Sequence, residues 1–131
     1  MKIGLIGAGR LGICLALLIE KAGYEVLASD NRVDYINSLQ KGIIDTAEPE
    51  VQQYLSDAKN IEFTTDNIRV ISECDLIFTL VATPSLADGS YDVSAVWKVI
   101  DDFKDIPILL DEKSLVIGCT TNPGDCNDFQ E

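Results

Sequence analysis

Three glycines and one aspartate carry the spacing in this chain that is best suited to binding chemistry. Gly7, Gly9 and Gly12 form Gly7-Ala8-Gly9-Arg10-Leu11-Gly12, a G-x-G-x-x-G run, and Asp30 follows 18 residues after Gly12. Between a strand and a helix, such a run cradles a diphosphate. The first glycine permits the tight turn, the second lets the ligand approach the backbone, and the third, lacking a Cβ, lets the helix pack close to the sheet. Free N–H groups at the helix start, helped by the positive end of the helix dipole, then face the anion. An acid about 20 residues further on accepts hydrogen bonds from an adenosine ribose and repels a 2′-phosphate, so the pattern points to NAD over NADP. Arg32, two residues beyond Asp30, is a group placed to swing over a phosphate instead.

Two hydroxyls extend the candidate site. Thr83 follows the apolar run Asp75-Leu76-Ile77-Phe78-Thr79-Leu80-Val81, and Thr120 follows Leu115-Val116-Ile117-Gly118-Cys119. In an open α/β sheet, ligands lie outside the carboxyl ends of the strands, near the point where strand order reverses, so Thr83 is expected to face the same crevice as Gly9. The chain has no histidine, which removes the commonest general base. Cys14, Cys74, Cys119 and Cys126 form no C-x-x-C pair, so no zinc site is expected. Cys14 and Cys74 read as small core residues, and Cys119 and Cys126 as reduced thiols.

The elements that position these residues follow from periodicity. Lys2 to Ile6 suits a strand buried on both faces; Leu11, Cys14, Leu15, Leu18 and Ala22 recur at helical spacing until Gly23; Glu25 to Ser29 is the next strand, a parallel neighbour of the first. Val33, Ile36 and Leu39 mark a second helix ending at Gly42. A third helix is expected to open at Glu48-Pro49, with Pro49 in its first position and Val51, Tyr54 and Leu55 inside. Ile61 to Thr64 is a strand, Asp66 caps a helix carrying Ile68, Val70 and Ile71, and Asp75 to Val81 is a central strand. Asp88-Gly89 is a turn, Asp92 caps a helix with Val93, Val96, Trp97 and Ile100 on one face, and Leu115 to Cys119 is the fifth strand. Trp97 is thereby read as core, and Gly118 as a close backbone approach.

At 131 residues the chain is expected to be one domain, 1–131, with a doubly wound α/β fold and a mostly parallel sheet of about five strands. Ten basic against 22 acidic residues give a net charge of −12, which disfavours nucleic acid as a partner. No apolar run is long enough to span a bilayer, and the first residues enter a core strand instead of a signal peptide, so a cytoplasmic location is expected.

Later motifs resemble one family. Glu48-Pro49, Phe63-Thr64-Thr65-Asp66, Val81-Ala82-Thr83-Pro84, Asp88-Gly89-Ser90-Tyr91-Asp92 and Cys119-Thr120-Thr121-Asn122-Pro123-Gly124 are similar to the E-P-G-L, F-T-T-D, V-P-T-P, D-G-S-x-D and S-T-V-P-x-G segments of the UDP-glucose and GDP-mannose 6-dehydrogenases, in their N-terminal NAD-binding Rossmann domain. Glu50 replaces a glycine, Ala82 a proline, Cys119 a serine and Thr121 a valine, and the last proline is shifted. The resemblance implies that Arg10 and Leu11 meet the diphosphate through their backbone N–H groups, that Arg32 lies beside the adenosine ribose, and that Thr83 and Thr120 lie near the nicotinamide, with Thr120 in a supporting role.

It also implies a parent reaction, oxidation of a sugar C6 alcohol to a carboxylate with NAD, in which a cysteine of a G-G-x-C loop is the nucleophile. This chain holds no such loop, so neither Cys119 nor Cys126 inherits that role and no residue is assigned as catalytic. A catalytically incomplete chain, lacking a sixth strand, is expected, with NAD as its partner and a sugar nucleotide only in an intact enzyme; oligomerisation is left open. Two rivals remain: a stand-alone nucleotide-sensing regulatory module, and the cofactor domain of a hydroxyacid or phosphogluconate dehydrogenase.

Overall fold

The structure, a computed structural model, describes residues 1–106 and 112–131. Its elements run β1 (Lys2–Ile6), α1 (Arg10–Lys21), β2 (Glu25–Ser29), α2 (Val33–Gln40), α3 (Val51–Asp57), β3 (Ile61–Thr64), α4 (Asn67–Glu73), β4 (Leu76–Thr79), α5 (Ser94–Lys104), β5 (Ser114–Ile117) and α6 (Asp125–Gln130). The five strands form one parallel sheet in the order β3-β2-β1-β4-β5. Strand order therefore reverses between β1 and β4, where a crevice opens at the carboxyl ends in folds of this kind. The register aligns those ends: Ile6 pairs with both Ser29 and Thr79, Ser29 with Thr64, and Thr79 with Ile117.

Successive strand residues point to opposite faces, and both faces are covered. Leu5, Val26, Ala28 and Phe63 pack with α1, α2 and α3; Ile6, Leu27 and Ile77 pack with α4 and α5. This is the doubly wound architecture that the sequence pattern implies. A third cluster joins Val96 and Ile100 of α5 to Phe129 of α6, with half-buried Trp97 meeting Phe129 edge-on at 4.9 Å between ring centroids. Gly23 ends α1 with a positive φ of 101°, and its N–H donates to the Glu20 carbonyl at 2.9 Å. Asp66 caps α4 as expected, accepting the Arg69 N–H at 3.2 Å.

Five local expectations are corrected. The N-cap of α5 is Val93, not Asp92, which lies one residue outside and accepts the Ser94 N–H at 3.0 Å. The stripe of α1 is misplaced: Leu11 and Leu18 are 66% and 54% exposed, and the inner face is Gly12, Ile13, Ala16 and Leu17. Gly12 and Ala16, four residues apart, let the helix axis approach the sheet, and that close approach decides the face over the larger leucines. Pro49 does not open α3; the helix begins at Val51, after Glu50 at φ 66°. Glu50 is the non-glycine with positive φ among the described residues, and it stands where the resembled motif has glycine.

The remaining two concern strand ends and helix faces. β4 ends at Thr79 and β5 at Ile117, two residues early in each case, although the Leu80 and Gly118 N–H groups still donate to the Ile6 and Thr79 carbonyls. β1 turns away at Gly7, which leaves β4 without its β1 partner beyond Leu80. Val33 and Ile68 are exposed, while Ile36 and Leu39 of α2 and Val70 and Ile71 of α4 are buried as expected.

Candidate functional site

The turn between β1 and α1 assigns a separate task to each glycine. Gly7 has φ +97°, and a Cβ there would lie 2.7 Å from the Leu80 backbone; a Cβ on Gly12 would lie 2.1 Å from the Gly7 carbonyl oxygen. Both positions exclude a side chain for reasons internal to the fold. Gly9 differs: its φ of −69° suits any residue, and a Cβ would meet nothing nearer than Arg32 Nη2 at 4.0 Å. The space over Gly9 is open.

That space faces the start of α1. The Gly7 and Ala8 N–H groups both donate to the Ser29 carbonyl at 2.9 Å, which pins the turn to the end of β2. No side chain caps α1, its first turn holds no acid, and its first bond is Ile13 N–H to the Gly9 carbonyl at 2.8 Å. The N–H groups of Arg10, Leu11 and Gly12 thus belong to the turn without intrahelical partners, an arrangement that attracts anions.

Asp30 lies directly after β2, its side chain 9% exposed. Arg32 grips it: the Arg32 backbone N–H and Nε donate to Oδ1 at 3.0 and 2.8 Å, and Nη2 donates to Oδ2 at 3.0 Å. Donating to the Asp30 carboxylate raises the Arg32 pKa further, so the guanidinium stays charged. The guanidinium also lies over the Tyr35 ring at 4.1 Å, and burial raises the Tyr35 pKa, keeping the phenol protonated to donate to the Ala8 carbonyl at 2.8 Å. A carboxylate offers about four acceptor sites, and three are in use here, so one ribose hydroxyl can join while a second must displace an Arg32 bond.

The glycine turn and the Asp30–Arg32 pair line one crevice of about 650 Å³. Gly7, Gly9, Arg10, Asp30 and Arg32 are brought together in it, with Ile6 and Leu80 to Ala82 from the switch point. Arg10 Nε donates to Glu48 Oε1 at 2.8 Å, so the Glu48-Pro49 segment reaches the helix start. Leu11 and Gly12 belong to the adjoining first turn of α1 and do not line the crevice through their side positions; Thr83, half-buried after β4, and exposed Thr120, after β5, also lie outside its lining. Sequence reasoning missed the far walls. Asn67 at the start of α4 accepts from buried Ser29 Oγ at 2.7 Å and donates to Asp102 at 3.3 Å, while Ala95, Lys98, Val99 and Asp102 present one side of α5.

Burial raises the pKa of three of the four thiols, Cys14, Cys74 and Cys119. All four cysteines are free. Cys74 is buried as expected, with its pKa pushed up to about 11 by burial; Cys14 is only half-buried, and burial raises its pKa as well. Cys119 Sγ–H donates to the Thr79 carbonyl at 3.3 Å, and burial raises its pKa too, so it remains a thiol at neutral pH.

Comparison with known proteins identifies the family. Residues 1–131 match the model of the UDP-glucose/GDP-mannose dehydrogenase family, NAD binding domain. The chain is 32% identical over 124 residues to YtcA of Bacillus subtilis (strain 168), covering 95% of this chain and 28% of that protein. It is 30% identical over 133 residues to the UDP-glucose 6-dehydrogenase of Rickettsia bellii (strain RML369-C), covering 98% of this chain and 30% of the relative. Among solved structures, a ternary complex of GDP-mannose dehydrogenase from Pseudomonas aeruginosa superposes with a TM-score of 0.88 at 24% identity, over 98% of this chain and 30% of that one, which supports the fold. The NDP-N-acetyl-D-galactosaminuronic acid dehydrogenase of Methanosarcina mazei Go1 gives a TM-score of 0.81 at 26% identity, over 96% and 29%. The chain therefore spans under a third of the length of these relatives.

Proposed function

We propose, from the premise that this chain belongs to the UDP-glucose/GDP-mannose dehydrogenase family as its NAD-binding domain, that residues 1–131 act as one unit holding NAD along the carboxyl edge of the sheet. The observation that carries this is the open space over Gly9, between the uncapped start of α1 and the Asp30 carboxylate. A diphosphate fits there against the Arg10 and Leu11 N–H groups, while Gly7 and Gly12 hold the turn and helix in place. Asp30 accepts ribose hydroxyls, and Arg32, released in part from Asp30, flanks the same ribose. Across the switch point, the loops carrying Thr83 and Thr120 border the nicotinamide half. When bound, NAD supplies a hydride acceptor; the residues here bind and orient it.

For the whole protein, the reading is oxidation of a nucleotide-sugar C6 alcohol to a carboxylate. Its nucleophile is no residue of this chain, whose thiols are held protonated or lack a G-G-x-C context. Family membership favours this over a nucleotide-sensing module or a hydroxyacid dehydrogenase. No described helix is long and apolar enough to cross a membrane; the four free thiols favour a reducing compartment, the cytoplasm.

Titration calorimetry with NAD and NADP tests the assignment. The chain is expected to bind NAD more tightly, and Asp30→Ala to weaken NAD binding by about 1.5 to 3 kcal/mol, the range for hydrogen bonds to a charged group. NADP binding as tight as NAD by the unmodified chain would overturn the role of Asp30.

A further inference from the structure

We propose that Asn122 is a positioning residue that locks the loop carrying Thr83 to the loop carrying Thr120 and so sets the wall facing the nicotinamide half of NAD. This rests on the binding mode proposed above. Asn122 lies two residues after Thr120, in the loop between β5 and α6. Its Oδ1 accepts the Tyr91 N–H at 2.8 Å and its Nδ2 donates to the Tyr91 carbonyl at 3.0 Å. Both backbone groups of Tyr91 are thus satisfied by one side-chain amide, as a neighbouring strand would satisfy them. Asp125 fixes that amide from behind: its Oδ2 accepts the Asn122 N–H at 2.7 Å and Nδ2 at 2.9 Å. Reversing the amide would set NH₂ against the Tyr91 N–H and oxygen against the Asp125 carboxylate, so the network permits one orientation.

Tyr91 in turn closes the hairpin that hangs from Thr83. Ser85 and Tyr91 form an antiparallel bridge, Asp92 N–H donates to the Pro84 carbonyl at 2.9 Å, and Leu86 N–H donates to the Ser90 carbonyl at 2.7 Å. Thr120 therefore stands two residues before Asn122, and Thr83 two residues before Ser85, the bridge partner of Tyr91. Only a short side chain with a donor and an acceptor side by side can make it. Proline at 122, its place in the resembled motif, has neither group nor an N–H for Asp125; the shift of proline to 123 leaves the position free for asparagine.

The clamp acts on one half of the ligand. A dinucleotide crosses the switch point between β1 and β4, so an adenosine over Asp30 on the β2 side places the nicotinamide on the β4 and β5 side. Asn122 bonds to nothing in the glycine turn or at Asp30. Loosening it should cost the nicotinamide half alone.

The test is titration of the unmodified chain and Asn122→Ala with NAD and with ADP-ribose, which lacks only the nicotinamide, beside amide hydrogen exchange at Tyr91. In Asn122→Ala, Tyr91 exchange should quicken, NAD affinity should fall about five- to tenfold, the loss expected for a hydrogen bond or two, and ADP-ribose affinity should stay within about twofold. An equal fall for both ligands would reveal a fold-wide effect and overturn the positioning role. So would faster exchange with unchanged NAD affinity. If the unmodified chain bound neither ligand, the dinucleotide reading itself would fall, and this proposal with it; binding of both by the unmodified chain with no change in the variant would sink the role of Asn122 alone.

Discussion

The turn after β1 and the loops after β4 and β5 reach the same edge of the sheet but are held there by different means. The turn is fixed by exclusion: Gly7 lies against the Leu80 backbone and Gly12 against the Gly7 carbonyl, with no room for a Cβ at either. The loops are fixed by polar side chains, through Asp88 to Ser90, Asp92 to Ser94 and Asn122 to Tyr91. A binding surface for a diphosphate needs backbone N–H groups aimed to within a fraction of an ångström, which close packing supplies. A surface that borders the reactive half of a cofactor is built from longer loops, whose hydrogen bonds can be exchanged one at a time.

The strongest way to break this comparison is to crowd the turn. Gly12→Val places a methyl-bearing carbon 2.1 Å from the Gly7 oxygen and 3.1 Å from Leu5, so the strand and helix must separate. Thermal unfolding should show a loss of about 3 kcal/mol or more, the upper range for overpacking. A melting temperature near that of the unmodified chain would remove the steric account of the turn.

Acid should separate the two regions more gently. Side-chain and backbone hydrogen bonds from Ser90 hold the Asp88 carboxyl below its ordinary pKa, and those from Ser94 hold Asp92 below its own. A carboxylate depressed in the folded state contributes stability above its unfolded pKa and loses it as pH falls through the folded one. As pH falls below about 4, therefore, the Ser90 and Ser94 amides should lose protection relative to their intrinsic exchange rates, while the protection of the Gly7 and Ala8 amides, bonded to the Ser29 carbonyl, should not respond directly. Equal loss of protection in both regions, measured by hydrogen exchange, would erase the distinction.

The smallest effect expected lies where the turn meets its neighbour. Glu48 pairs with Arg10, and two residues on Glu50 holds a left-handed backbone that glycine adopts without strain. Glu50→Gly should raise stability by up to about 1 kcal/mol, the relieved strain being partly offset by chain entropy. A lower melting temperature would show that the Glu50 side chain contributes more than its backbone costs.

The same contrast explains which features were legible. Strand, glycine turn, helix, strand and acid occupy one short stretch, and spacing alone places Gly9 and Asp30 together because each element is local. The Asp66 cap is read from the chain for the same reason. The inner face of α1 was not, because Leu, Ile, Cys and Ala surround the helix and periodicity cannot choose among them; the small pair Gly12 and Ala16 chose. Asn67, Lys98, Asp102 and Asn122 were missed because they converge on the site or its loops from distant segments. Nothing in the sequence around Asn122 shows that Tyr91, 31 residues earlier, will lie beside it.

Gly9 provides the most direct test, since it alone of the three turn glycines has both an ordinary backbone and open space around it. Titrating NAD into the unmodified chain and into Gly9→Val, beside thermal unfolding of both, separates ligand approach from folding. The account predicts a folded variant, destabilised by about 1 kcal/mol or less as for an unfavourable helix N-cap, that has lost NAD binding. A folded Gly9→Val chain that binds NAD as tightly as the original would contradict it, leaving the glycine turn a structural feature only.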